Sequence, residues 1–452
     1  MSISGEIERI WDCIAQWEPR ERYAYVHRMV GMTIQARGKS AQIGQLCRLF
    51  GEDSRVEPVM AEVVGFDDRT MLLLPFSEVQ GIRAGMRVQV ARASFQVPVG
   101  PELKGRILDG LGRAIDAKAK PESEQRRSIY AAPPSPLERS RVSQPLDLGV
   151  RSIDGLLTCG RGQRLGIFAG SGVGKSTLLG MIARTSDADV NVIGLIGERG
   201  REVRDFIEDD LGPEGLGRSV VVVATSDQPA LMRIKAAYVA TTIAEYFREE
   251  GADVLLMMDS ITRFAMAQRE VGLAAGEPPT TRGYPPSVFS LLPQLLERSG
   301  NSKTGTMTAF YTVLVEGNDM EEPITDAVRG ILDGHIQLSR ELADEGHYPA
   351  VDVLKSVSRL MSDIVTDDHE SSARELKRLL AAYQDARDLI NIGAYQRGAD
   401  PQVDRAIDRM AAIRQFLRQT PDQPTPLSET KLQLQAILKG GKADHDAESF
   451  SS

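Results

Sequence analysis

Between residues 144 and 360, short unbroken apolar runs alternate with longer stretches whose apolar positions recur every three or four residues. "RLGIFA", "VNVIGLIG", "VVVATS" and "DVLLMMD" are runs of the first kind. A strand without polar alternation is buried on both faces, as in a parallel sheet covered by helices. "GKSTLLGMIAR" and "PALMRIKAAYVATTIAEYFREE" belong to the second kind, and Gly251 closes the longer one. The alternation predicts an α/β domain on a parallel sheet.

Elsewhere the period changes. From residue 25 to 91 the runs are short: "AEVVGFDDRTMLLLPF" predicts two strands around an Asp67-Asp68 turn, and "MRVQVA" alternates Val88 and Val90 with Arg87 and Gln89. Such strands predict a small barrel. Upstream, Ile3, Ile7, Ile10, Ile14 and Trp17 share one helix face, with Ser4 as N-cap and Pro19 past the end. That stripe packs either on its own domain or on a partner. "GRILDGLGRAID" and the Pro-rich "AAPPSPLERS" predict a connection into the α/β domain. Beyond residue 362 the chain is helical and charged, and "KGGKADHDAESFSS" has the composition of a disordered tail.

Charge and cysteine narrow the class. The chain has 54 basic and 63 acidic residues, a net of −9. An acidic balance argues against a nucleic-acid partner. The three cysteines have no metal-ligand spacing, as expected in a reducing cytoplasm. The charged start "MSISGEIERIW" is not a signal peptide, and no apolar run is long enough to span a bilayer.

The strongest chemical signal is "AGSGVGKST", placed between a strand and a helix. Gly170, Ser171, Gly172, Val173 and Gly174 form a loop whose N–H groups point at phosphate oxygens, with Thr177 just behind. Lys175 reaches the β- and γ-phosphates, and Ser176 ligates Mg²⁺. The strict motif begins with Gly where this chain has Ala169, a strand-end position that does not require positive φ. Asp259 ends an apolar strand, where a carboxylate holds a Mg²⁺-bound water. "LIGERGREVRDF" then poses a question, because a buried strand runs straight into Glu198, Arg199, Arg201, Glu202, Arg204 and Asp205. Ligands of open α/β sheets bind outside the carboxyl ends of the strands. Glu198 is therefore placed to polarise an attacking water, with Glu202 in the Mg²⁺ shell and Arg199 near phosphate. A salt-bridged surface loop is the alternative.

Together the phosphate loop, "GERGRE", "LLMMDSITRFA" and "YPAVDVLKSVSRL" resemble the ATP synthase α/β superfamily, and "PAVDVLKSVS" fits its signature at every fixed position. "GYPPSVFSLLPQLLERSG" and "EEPITDAVRGILDGHIQLSRELADEGHYPAVDVLKSVSRLM" are similar to the type III protein-export ATPases of that superfamily, and "FAGSGVGKS" and "LINIGAY" to the flagellar branch. The resemblance implies an ATP hydrolase using ATP and Mg²⁺, with a RecA-like central domain. Its expected organisation is an N-terminal amphipathic helix (1–24), a β-barrel (25–92), the ATPase domain (93–364) and a C-terminal helical domain with its tail (365–452). Glu198 matches the catalytic glutamate, with Arg199 and Glu202 beside it in the site. Tyr348 matches the aromatic that stacks on adenine, Phe416 a residue lining the adenine pocket, and Arg359 an arginine finger reaching the neighbouring subunit's site. The implied partners are other copies in a homohexamer, a stator-like regulator at the first helix, a coiled-coil stalk, a membrane export gate, and export chaperones with their substrates. The implied location is cytoplasmic, peripheral at the inner membrane through partners. Injectisome ATPases share these motifs. Two further readings stay open: a hexameric RNA translocase, which needs basic and aromatic surface, and an inactive ring subunit, which Glu198 argues against.

Overall fold

The computed structural model describes residues 23–439 except 39–40, 52–56, 69, 78–80, 92–94, 124 and 316–318. The expected amphipathic helix at the N-terminus and the tail beyond 439 lie outside the described residues. Two compact units result. The first contains a closed barrel of six strands: β1 (Ala24–Val30), β2 (Thr33–Arg37), β3 (Leu46–Phe50), β4 (Val59–Asp67), β5 (Thr70–Pro75) and β6 (Arg87–Val90), in spatial order β1-β2-β5-β4-β3-β6. Alternation explains its core, because Val26, Ala36, Cys47, Leu49, Ala61, Val63, Leu73 and Val88 all point inward. The turn between β4 and β5 passes through Asp68 at φ 51, a left-handed conformation Asp tolerates better than most residues.

The second unit holds a short ribbon of β7 (Gln96–Val99) and β9 (Gln125–Ser128) beside an eight-stranded sheet. The sheet consists of β8 (Arg106–Asp109), β10 (Arg164–Ala169), β11 (Val190–Ile196), β12 (Ser219–Ala224), β13 (Asp253–Asp259), β14 (Thr306–Leu314), β15 (Gly334–Leu338) and β16 (Val351–Ser358). Their order is β16-β15-β10-β14-β13-β11-β12-β8, and every pairing is parallel except β15 with β16. "GRILDGLGRAID" is thus more than a connection: its four-residue strand β8 pairs with β12 at the sheet edge. β11 and β12 are buried at every position, as their unbroken apolar runs require.

Three C-terminal helices follow, Asp367–Asn391, Pro401–Leu417 and Leu427–Lys439. Thr366 and Asp400 cap the first two by accepting from backbone N–H groups. Their apolar faces share one hydrophobic core with the sheet, through Leu376, Leu379, Ile413, Phe416 and Leu434.

Candidate active site at the phosphate loop

β10 delivers the chain to the loop 170–174 and the helix Lys175–Thr185. Ala169 lies inside the strand, paired with Leu314, so the departure from the strict motif costs no backbone strain. Gly174 sits at the helix N-cap with φ 84, a conformation other residues rarely adopt. A Cβ there would come within 3.3 Å of the Tyr348 ring, so this glycine also lets Tyr348 lie against the loop.

β11 and β13 are adjacent, with Leu195 opposite Asp259, so the residues after both strands emerge at one edge. Lys175 Nζ donates to Asp259 Oδ1 at 2.5 Å and to Glu198 Oε1 at 3.2 Å. Thr312 of β14 steadies Asp259 by donating its hydroxyl to Oδ1 at 2.6 Å. Burial pushes the Glu198 carboxyl up, Asp259 pushes the same way, and Lys175 only partly opposes them; the result is about 7. Burial acts to lower the Lys175 value, but Asp259 and Glu198 outweigh it and hold the ammonium above its usual range. Glu202 is held below the usual carboxylate range: burial opposes this, but a hydrogen bond shared with Glu198 and the nearby Arg199 prevail. Of the two carboxyls, Glu198 is therefore the one that takes up a proton first as pH falls. A carboxyl near 7 beside a phosphate loop is matched to moving a proton at neutral pH.

After Glu198 the chain forms the helix Gly200–Asp205 and then a π-helical turn, Phe206–Leu211. That turn brings Asp210 onto the Thr177 hydroxyl. A Cβ on Gly180 would lie 2.6 Å from the Asp210 carbonyl, so only glycine permits this packing. The charged run is thereby tied to the phosphate-loop helix on one side and exposed on the other, where Arg199 pairs with Glu202 at 3.1 Å. The loop, Ser176, Thr177, Glu198, Arg199, Glu202 and Tyr348 line one cleft of about 1070 Å³. Arg263 and Arg340 line it too, and sequence reasoning missed both. Arg263 follows the end of β13 by four residues and was open to the same strand-end argument as Asp259. Arg340, which donates to the Ser171 carbonyl at 2.6 Å, carries no local signal.

Hard oxygen donors stand here: Ser176 and Glu202 line the cleft, and the buried Asp259 carboxylate lies behind Lys175. Among the described residues no three His, Cys, Asp or Glu side chains group to hold a metal unaided. This donor set fits Mg²⁺, which keeps several waters and is held by one or two side chains plus substrate phosphates.

Two expected residues are not brought to the cleft. Phe416 is buried, and a Cβ on Gly155 would lie 3.0 Å from its ring. Its helix buries Val403, Ala406, Met410, Ile413 and Phe416 along one stripe, which turns Phe416 inward. The surface beside Tyr348 is lined instead by Arg418, Gln419, Thr420 and Pro421, after the helix ends. Arg359 follows β16, whose Ser358 pairs with Gly334 at the start of β15. It therefore lies at the sheet end opposite Ala169, about 15 Å or more from its own phosphate loop. Among the described residues its exposed guanidinium meets no carboxylate, only the Arg329 carbonyl at 3.4 Å.

The family model "ATP synthase alpha/beta family, nucleotide-binding domain" matches residues 149–358, and "T3SS EscN ATPase C-terminal domain" matches residues 365–436. The flagellum-specific ATP synthase of Bacillus subtilis is 55% identical, covering 93% of this chain and 96% of its own. The type 3 secretion system ATPase of Xanthomonas euvesicatoria is 53% identical, covering 90% and 92%. The solved structure of the assembled ATPase EscN from the enteropathogenic E. coli type III secretion system matches with TM-score 0.87 and 49% identity, covering 92% of this chain and all of that one. A further structure holds EscN in complex with its central stalk EscO and matches with TM-score 0.86.

Proposed function

The chain belongs to the ATP synthase alpha/beta family, and from that premise we propose how this ATP hydrolase works at a type III export apparatus, where it couples hydrolysis to flagellar protein export. The observation that carries the mechanism is the contact of Lys175 with both Glu198 and Asp259 at the mouth of the phosphate loop. In the structure the two carboxylates hold the lysine. When ATP enters, the β- and γ-phosphates take over Lys175, and the loop N–H groups receive the phosphate oxygens. Glu198, released from the ion pair, orients a water in line with the γ-phosphorus and accepts its proton. Ser176 would hold Mg²⁺, with Asp259 and Glu202 acting through its waters; bound Mg²⁺ would supply positive charge to the phosphoryl oxygens. Arg199 lies at the phosphate rim, and the Tyr348 ring stacks on adenine.

We read Arg359 as acting in trans, from the next copy in a homohexameric ring. Its distance from its own loop and its lack of a carboxylate partner support this. The stalk complex of a 48% identical relative supports a coiled-coil stalk as partner. A stator-like regulator, an export gate and chaperone–substrate complexes complete the proposed set. We place the chain in the cytoplasm, at the inner membrane through those partners; no described helix is long and apolar enough to cross a membrane. The proposed boundary at 364/365 is supported by the two matched models, which end and begin at 358 and 365. The end of the barrel unit at Gln96 supports a boundary near 92.

Relatives from both export systems match at 55% and 53%, so an injectisome role is the second reading. Deletion of the gene separates them: the flagellar reading requires loss of motility, the injectisome reading loss of effector secretion with motility intact. For the chemistry, Glu198→Gln should bind ATP normally yet turn over at less than about a tenth of the wild-type rate. A variant that keeps most of its activity removes Glu198 from the catalytic role.

A further inference from the structure

A polar hub that the mechanism does not use holds the segment after the helix Pro401–Leu417. Gln419 is only 6% exposed. Its backbone N–H donates to the Tyr348 carbonyl at 2.9 Å. Its Oε1 accepts from the Arg151 N–H at 2.9 Å, while Nε2 donates to the carbonyls of Gly149 at 2.7 Å and Gln423 at 2.8 Å. Arg151 tightens the knot by donating to the carbonyls of Phe416, at 2.8 Å, and Arg418. From the other side Arg184, in the last turn of the phosphate-loop helix, donates to the Pro421 carbonyl at 3.1 Å.

Tyr348 is 45% exposed, and its ring lies against Gly174. Its main chain is held by Gln419, and the Gln419 side chain is held by three backbone groups, two of them, at Gly149 and Arg151, distant in sequence. An amide suits this place because it accepts one N–H and donates two of its own. A carboxylate would set its oxygens against two carbonyls, and an alkyl chain would leave buried backbone groups unpaired. We infer that Gln419 is a positioning residue for the base side of the cleft. It holds Tyr348 where the ring meets a purine, and it leaves the phosphate end untouched. The inference rests on the reading of Tyr348 as the base-stacking residue.

The test compares ATP with inorganic tripolyphosphate, which lacks base and sugar, by calorimetry on the full chain with Mg²⁺. Gln419→Ala should weaken ATP about tenfold, the worth of a hydrogen bond or two, and change tripolyphosphate less than about twofold. Tyr348→Ala should produce the same selective loss. If Tyr348→Ala leaves the ratio of the two affinities unchanged, the stacking reading falls and this inference with it. If Tyr348→Ala changes the ratio and Gln419→Ala does not, only the Gln419 inference falls. Equal weakening of both ligands by Gln419→Ala also overturns it, because that is the mark of a general structural role. Should Gln419→Ala fail to fold, Gln419→Met, which keeps the length of the side chain, decides by the same ratio. If that variant also fails to fold, Gln419 is structural and the inference is rejected.

Discussion

At the residue scale the site is a competition for one ammonium. Two carboxylates and Lys175 share a space where water is scarce, and Glu198 loses: Asp259 has the shorter contact and the Thr312 donor. A folded carboxyl raised from 4.5 to about 7 contributes stability that is fully present below 4.5 and lost as pH rises through about 7. Glu198→Gln has no proton to lose. In nucleotide-free protein the stability of the wild type should therefore fall relative to the variant, by about 3 kcal/mol in total, between about pH 5 and 8. Urea unfolding of both proteins across that range measures it. Parallel curves mean that Glu198 is not the raised carboxyl.

At the element scale, strand ends create the site and helix stripes bury everything else. The helix Pro401–Leu417 illustrates the second rule, because its stripe carries Phe416 into the core beside Gly155 and Thr430. Phe416→Ala should cost about 3–5 kcal/mol, as large-to-small core substitutions do. ATP affinity, measured where the variant is still folded, should stay within about twofold of wild type, because the buried ring does not line the cleft. Unchanged unfolding with a large loss of ATP affinity would return Phe416 to the adenine pocket. The same scale explains β8, which the sequence pattern left in a connection. Four residues between glycines give periodicity too little length, and the strand is defined by pairing with β12 and by the Arg106–Asp116 ion pair.

At the scale of the whole molecule, the proposed site needs a second copy. Arg359 and the phosphate loop lie at opposite ends of the same sheet, so any guanidinium that Arg359 gives to a γ-phosphate serves another copy. Arg359→Ala should leave monomer folding and ATP affinity near wild type and reduce turnover by about 10³-fold or more. Lys175→Ala should be inactive through lost phosphate contact. Rings containing both variants should regain activity, because one interface then joins an intact loop to an intact finger. Mixed rings as inactive as either parent, together with a linear loss when each variant is titrated into wild type, exclude the trans role. A steep loss on titration instead indicates that sites fire in a coordinated way.

The sequence by itself determined the parts whose signal is local. The phosphate loop, Asp259 and Glu198 are each announced by a strand running into a distinctive turn, and the alternation of unbroken and periodic apolar runs specified four of the eight strands of the sheet. Both signals are written in short consecutive stretches of chain, where side-chain direction repeats with the period of the helix or the strand. Tertiary structure alone decided the rest. It set the Tyr348 ring on Gly174, turned Phe416 away from the cleft, sent Arg359 to the far end of the sheet, and joined Gln419 to Gly149 across 270 residues. Those placements depend on which elements pack together, and a contact between distant segments leaves no period in either of them.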